Sequence, residues 1–507
     1  MAEIRITAGN REARLEAAEG ENLLELLRRE GFQVTAPCGG KGKCGKCLVT
    51  LRSEADERQV LACRTRVQGD CRVRLEEQQG GVILTAADSA DAPTATGRQG
   101  LGAAVDLGTT TVVLELLDLA DGSRKGLRSA WNAQAPYGAD VITRSQYCME
   151  HPDGLETLRR CIRAQFRDLL RELGTDESAL TELFVAGNTV MQHIFAGLHP
   201  GSIAVAPFTP KALFTGDQPP EEKLRYAPCV AGYVGGDITA GLLASGLYER
   251  QERSLFLDIG TNGEMALGGA EGFLCCAVAS GPAFEGAGIS CGMAGTDGAV
   301  SHVRWNGREP ELEVIGGGEP RGLCGSGLID LLALLTEKRM ISAYGLLLGP
   351  EEAPEGYERW LGEDDNGNGI FYLTADRRVY LTAGDVRQLQ LAKAAVAAGI
   401  AVLLRKAGLR PSQLDRLYLA GGFGTYMDVS SAAAIGMLPQ ELTERTVLLG
   451  NASLAGARLA LLNPEAREQL LEIQRSCRYL ELSGDADFNR EFPEQMLFYE
   501  EDKDEWN

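Results

Sequence analysis

Apolar and polar positions alternate from the first residues: Ile4 and Ile6, then Ala13, Leu15 and Ala17, stand two apart among polar neighbours. A period of two puts those side chains on one face of a pair of strands. Between Glu21 and Glu30 the spacing changes, and Leu23, Leu24, Leu26 and Leu27 form the stripe of a helix that Gly31 would stop. A loop crowded with glycine and cysteine follows, and strand-like runs return near Leu48 to Leu51 and at Cys71, Val73 and Leu75. Residues 83–100 are rich in Ala, Ser, Thr, Asp and Gly without a core-forming period, which predicts a linker and a boundary near Gly100. From Leu101 to about Phe498, strand-like runs alternate with Ala- and Leu-rich helical stretches, the mark of α/β architecture. The acidic tail Tyr499 to Asn507 predicts a frayed end.

Charge and cysteine content narrow the class. The formal charge is −21, and it is uneven: residues 1–80 hold 14 Lys and Arg against 13 Asp and Glu, the remainder 36 against 58. A negative field argues against nucleic acid or anionic membrane as a partner. The longest apolar run, Ala394 to Leu404, is about eleven residues, short of the roughly 20 that a membrane span needs. The N-terminus lacks the apolar stretch of a secretory signal, so the expected location is cytoplasmic. Thirteen cysteines without an export signal point to thiols and metal ligation over a disulfide framework. His151, His193, His199 and His302 are too dispersed to nominate as ligands.

Four cysteines stand apart. Cys38, Cys44, Cys47 and Cys63 form C-x5-C-x2-C-x15-C within PCGGKGKCGKC and LACRTR. Iron–sulfur clusters take thiolates, and Gly39, Gly40, Gly42 and Gly45 let the backbone wrap a cluster and turn N–H groups toward its sulfurs. The spacing resembles that of 2Fe-2S ferredoxins, and the order strand, strand, helix, metal loop, strand is that of their β-grasp fold. Structural zinc is the competing reading, but it favours two CxxC-type pairs and only one is present. Cys71 competes with Cys63 as fourth ligand, although its alternating strand suggests a small core residue. Lys41, Lys43 and Lys46 are either a solvated loop face or a patch that steers an acidic redox partner.

Glycine-rich turns recur in the rest of the chain. Val105 to Thr111 (VDLGTTT) reads as a strand ending in an aspartate and a Gly-Thr-Thr turn, whose N–H and hydroxyl groups suit phosphate while Asp106 orders hydrated magnesium. Leu257 to Glu264 (LDIGTNGE) repeats the design. Gly235 to Gly246 starts a small-residue helix with Asp237 toward a cleft, Leu419 to Gly424 (LAGGFG) runs a strand into two glycines, and a further helix starts near Gly450. No GxxxxGK[ST] is present. The ordered set resembles phosphate 1, connect 1, phosphate 2, adenosine and connect 2 of the acetate and sugar kinase, heat-shock chaperone and actin superfamily. That resemblance implies a duplicated, RNase H-like α/β ATPase with lobes at 101–249 and 250–498, behind a ferredoxin-type domain at 1–82. It further implies that Asp106, Gly108, Thr109, Thr110, Asp258, Gly260, Thr261 and Asn262 hold the phosphates and magnesium, with Gly421 and Gly422 beside the nucleoside. Asp237 is then the candidate for orienting the attacking water and Glu264 the runner-up, while Asp118 and Asp330 read as helix-end residues.

Taken end to end, CGGxGxCGxC, LACRTR, DLGTTT, AGNTVMQH, DIGTNGE, ASGPAFEG, RGLCGSGLID and LAGGFG resemble the reductive activators of corrinoid enzymes. The resemblance implies a 2Fe-2S cluster, Mg-ATP, an upstream electron donor and a corrinoid protein or corrinoid-dependent methyltransferase whose Co(II) is returned to Co(I). It also implies a possible homodimer. Co(II)/Co(I) lies at very low potential, and a one-electron gap of about 200 mV corresponds to roughly 4 to 5 kcal/mol that ATP must offset. Two rivals are an ATPase activator of 2-hydroxyacyl-CoA dehydratases, whose cluster cysteine Cys324 loosely suggests, and an acyl or sugar kinase with an accessory redox domain. Cys324 reads more simply as a buried thiol beside a helix start. Longer members of the resembled group carry a middle domain for which the linker at 83–100 leaves no room, so this chain is expected to lack it.

Overall fold

The computed structural model describes residues 2–8, 11–30, 32, 34, 40, 42, 47–52, 56–75, 96–216 and 223–499. Its front module is a five-stranded sheet in the order Arg11–Ala17, Ala2–Ala8, Cys71–Leu75, Leu48–Arg52, Glu57–Leu61. The two central strands are parallel, with Ile4 opposite Cys71 and Ile6 opposite Val73. Ile4 and Ile6 are buried against Leu23, Leu24, Leu26 and Leu27. The helix carrying those leucines is Leu23–Arg29, shorter than the expected stretch, because the Asn22 side chain caps it by accepting from the N–H groups of Leu24 and Glu25. The strand Glu57–Leu61 has no sequence signature: it is an exposed edge, so its side chains have no reason to alternate.

Two larger sheets follow, and they share a plan. The first runs Leu224–Tyr226, Leu180–Gly187, Leu101–Leu107, Thr111–Asp118, Arg124–Trp131; the second runs Thr446–Gly450, Arg416–Ala420, Ser254–Ile259, Gly263–Gly269, Gly272–Val278, Cys477–Tyr479. In each, three antiparallel strands continue into two parallel neighbours, and the strand at the junction ends in the aspartate of a phosphate turn. Helices Gly236–Ser245 and Ala452–Leu462 lie between the sheets in one shared core with Ala104, Phe184, Phe256 and Tyr418. Small residues permit the approach: a Cβ at Gly456 would stand 2.0 Å from the Ala240 carbonyl oxygen, and one at Gly241 2.5 Å from Phe256. Among the described residues, the helix long and apolar enough to cross a membrane is Ala383–Ala407, and it is buried in the core of the second lobe.

Two expectations are corrected. Asp118 ends a strand, not a helix, and pairs with Lys125 at 3.0 Å. Asp330 lies inside helix Gly325–Glu337 and meets His302 Nδ1 at 2.8 Å. At the end of the expected linker, Arg98 pairs with Glu182 and donates to the Leu461 carbonyl at 2.8 Å. Residues 83–95 and 500–507 lie outside the described residues.

Candidate functional site: an inter-lobe cleft and a thiol module

A cleft of about 500 Å³ lies between the lobes, and every residue nominated for nucleotide lines it: Asp106, Gly108, Thr109, Thr110, Asp237, Asp258, Gly260, Thr261, Asn262, Gly421 and Gly422. The first turn is held from behind. Asn132 Nδ2 donates to the Gly108 carbonyl at 2.8 Å, Arg144 Nη2 to the Thr109 carbonyl at 2.7 Å, and Asn188 Nδ2 to Thr109 Oγ1 at 2.8 Å. Asn188 also caps helix Thr189–Ala196 by accepting from the Met191 N–H, so one side chain locks turn to helix. Gly108 allows the tight bend, since a Cβ there would meet the Thr111 carbonyl at 2.6 Å.

Acidic groups crowd the cleft. Asp106 accepts from Asn451 Nδ2 at 2.9 Å and from Ser453 Oγ at 2.8 Å; burial still raises its carboxyl above the ordinary range against those two donors. Burial and then the charge of Asp106 push Asp258 up to about 7. Asp237 is raised by burial, then by Asp258 and Asp106; Glu264 is raised by burial, then by Asp237 and Asp258, although it accepts from the Gly235 N–H at 3.3 Å. Ionised carboxylates gathered this way ask for a cation. Among the described residues no three Asp, Glu, Cys or His side chains converge to hold an ion directly.

Gly421 lines the cleft beside the second turn. It has φ +87°, and a Cβ there would lie 2.5 Å from Asp258 Oδ1, so a side chain at 421 would be strained and would strike the second-turn aspartate. Beside it Phe423 stacks on Phe284 with ring centroids 5.2 Å apart. Cys324 is a buried helix cap whose Sγ approaches the Val300 carbonyl at 3.4 Å. The histidines have local partners: His151 approaches the Tyr147 carbonyl, His193 that of Thr189, His199 that of Cys148, and His302 approaches Asp330.

Several cleft residues escaped the motif reading, namely Asn188, Glu285, Asn451 and Ser453. All lie in quoted runs (AGNTVMQH, ASGPAFEG, GNASLAGARLALL), so the signal was a polar residue inside an otherwise small or apolar stretch.

In the front module Cys47 and Cys63 face each other with sulfurs 3.2 Å apart and without a disulfide. Loop backbone brings them together: the Ala62 N–H donates to the Cys47 carbonyl at 2.8 Å, and Asn22 Nδ2 to the Cys63 carbonyl at 2.9 Å. Two partly enclosed thiols this close fit shared ligation of an iron–sulfur cluster. Cys71 stands on a central strand packed on the module's core, where burial raises its thiol. Cys38, Cys44, Lys41, Lys43 and Lys46 lie outside the described residues.

The comparisons with known proteins span both parts. The profile of the family described as the C-terminal domain of RACo, the ASKHA domain, matches residues 252–507, half of the chain. This chain belongs to that family. A profile described as the RACo middle region matches residues 101–250, and the 2Fe-2S iron-sulfur cluster binding domain matches residues 6–68. The solved structure of a "Reductive activator for corrinoid,iron-sulfur protein" superposes with a TM-score of 0.70 at 30% identity, covering 98% of each chain. The chain is also similar to the corrinoid activation enzyme RamQ of Eubacterium limosum, at 27% identity over 96% of this chain and 98% of that protein. To the [Co(II) methylated amine-specific corrinoid protein] reductase of Methanosarcina barkeri it is 24% identical, over 74% of this chain and 72% of the other. The expected lack of a middle region is therefore overturned: that region occupies the segment read from sequence as the first ATPase lobe, where it forms the sheet ending in Asp106.

Proposed function

We propose that this chain is an ATP-dependent reductive activator that passes one electron to the Co(II) corrinoid of a partner protein, giving Co(I), while ATP is hydrolysed between its lobes. The observation that carries the reading is one chain holding both a facing thiol pair and a two-turn phosphate cleft, in a match that extends over 98% of a reductive activator. A 2Fe-2S cluster held by Cys38, Cys44, Cys47 and Cys63 would supply the one-electron chemistry. An upstream donor reduces it, and the setting is cytoplasmic.

In the cleft, the hydroxyls of Thr109, Thr110 and Thr261, the amide of Asn262 and the backbone of Gly108 and Gly260 bind the phosphates. Asp106 and Asp258 would hold magnesium, which would neutralise phosphate charge, and Gly421 and Gly422 would admit the nucleoside. Asp237, whose proton affinity is raised by burial and then by its acidic neighbours, orients the attacking water and accepts its proton. Glu264 acts through position, fixing the Gly235 N–H at the start of that helix.

The test is anaerobic mixing of the iron-loaded chain, a reductant and Co(II) corrinoid proteins with and without Mg-ATP, following the Co(I) absorption band. Growth of that band only with Mg-ATP is the expected result; no ATP effect with any corrinoid partner removes the reading. A kinase would instead phosphorylate an acyl or sugar substrate and need no reductant.

A further inference from the structure

Glu285 ends the short turn Pro282–Glu285, outside both phosphate motifs, yet it touches both. Its Oε2 accepts from Thr110 Oγ1 at 2.9 Å and its Oε1 from Thr261 Oγ1 at 2.9 Å. Those hydroxyls come from different lobes and stand 3.3 Å apart. One carboxylate thus ties the two turns together across the cleft.

A hydroxyl has a single proton to donate. While Thr110 and Thr261 donate to Glu285, neither can donate to a phosphate oxygen, and two anions within one cleft repel. Arg144 is the cation acting on Glu285, but its guanidinium is spent behind the first turn on the carbonyls of Gly138 and Thr109. We propose that Glu285 is a positioning residue that sets nucleotide affinity: it bridges the two turns and must surrender both hydroxyls before the phosphate chain can seat. Entry of nucleotide then exchanges a protein bridge for a phosphate bridge, and loss of phosphate restores the first.

This rests on the adenine-nucleotide reading of the cleft, and the experiment separates the two. Mg-ATP binding and release are measured on the full-length, cluster-loaded chain with a fluorescent ATP analogue, for the wild type, Glu285→Gln and Glu285→Asp. Glu285→Gln, which lacks the charge and cannot accept from both threonines equally, should bind about tenfold tighter, with most of the change in the release rate. Glu285→Asp keeps the charge but is a methylene short of spanning both turns, so its affinity should fall between the two. General structural damage would weaken binding, so tightening is the discriminating readout. Unchanged or weaker affinity in either folded variant overturns the proposal and makes Glu285 a support for the bound nucleotide. A wild-type chain that binds no Mg-ATP overturns the nucleotide reading itself and this inference with it.

Discussion

The two phosphate turns are near copies in sequence and in sheet position, but they are not equivalent. Asp106 and Asp258 each end the strand at the junction of an antiparallel triplet and its parallel neighbours. Asp106 is met by two donors, Asn451 and Ser453, at the start of helix Ala452–Leu462, and its turn is braced by Asn132, Arg144 and Asn188. Around Asp258 the forces acting on the carboxyl are burial and the charge of Asp106, and among the described residues no donor lowers it. Its turn is braced through Ser280 Oγ, whose one proton is shared between the carbonyls of Gly260 and Thr261 at 3.2 and 3.3 Å. Duplication thus supplies the geometry twice, while the surroundings give one aspartate two hydrogen-bond donors and leave the other to burial and its neighbour's charge.

The largest effects should follow from removing the carboxylates. Asp106→Asn and Asp258→Asn should each lower ATP turnover by about 10²- to 10³-fold, the usual scale for losing one fixed charge at a phosphoryl-transfer centre. Nucleotide-free stability should split them. Asp258→Asn removes an uncompensated carboxyl and should raise the midpoint of denaturant unfolding; Asp106→Asn disrupts a satisfied network and should lower it, each by about 1 to 2 kcal/mol. Shifts of the same sign would erase the contrast between the turns. Gly421→Ala comes next, because its Cβ would collide with Asp258 Oδ1 from a backbone at φ +87°. Strain of about 1 to 3 kcal/mol is expected, with nucleotide affinity lost at least in proportion.

The pH dependence of stability sharpens the same comparison. Asp258 has a folded-state pKa of about 7 against an ordinary value of 3.8, so the native state holds the proton more tightly than the unfolded chain. Stability from that proton is fully present below about pH 4 and is lost as pH rises through 7. Three units correspond to at most about 4 kcal/mol, and partial solvent access to the cleft reduces this. The thermal stability of the nucleotide-free protein should therefore fall between about pH 4 and 7, and Mg-ATP should flatten the slope by favouring the carboxylate. An equal slope with and without Mg-ATP would place the titrating group elsewhere.

What the sequence made legible was whatever is contiguous. The two Asp-x-Gly-Thr turns and the Gly421–Gly422 pair can be read because each motif carries its own chemistry within a few residues, and Cys63 because its residue type answers the cysteines of the glycine-rich loop. The braces cannot be read that way: Ser453 and Asp106 are 347 positions apart, and Glu285 serves two turns that lie 151 positions from one another. Polar side chains inside small-residue runs hinted at them, but which carboxylate or carbonyl each would reach depends on how the sheets face each other. Asp330 failed for a related reason, since a lone acid in an apolar helix gives no sign that His302 will arrive from a strand 28 positions earlier. The strand Glu57–Leu61 was invisible because its edge position leaves its side chains in water.

The smallest change should make the first turn resemble the second. Ser453→Ala removes one of the two donors to Asp106, and with it part of the force holding that carboxyl down against burial. About 1 kcal/mol of stability should be lost, and Mg-ATP affinity should weaken by less than tenfold because Asn451 still holds the other oxygen. The telling measurement is again the stability profile between about pH 4 and 7. With Asp106 binding its proton more tightly, the nucleotide-free slope should steepen beyond that of the wild type, and Ser453→Thr, which keeps the hydroxyl, should restore it. If Ser453→Ala leaves the slope unchanged, the donors at the first turn act on its geometry alone and not on its charge, and the asymmetry between the aspartates must originate in burial.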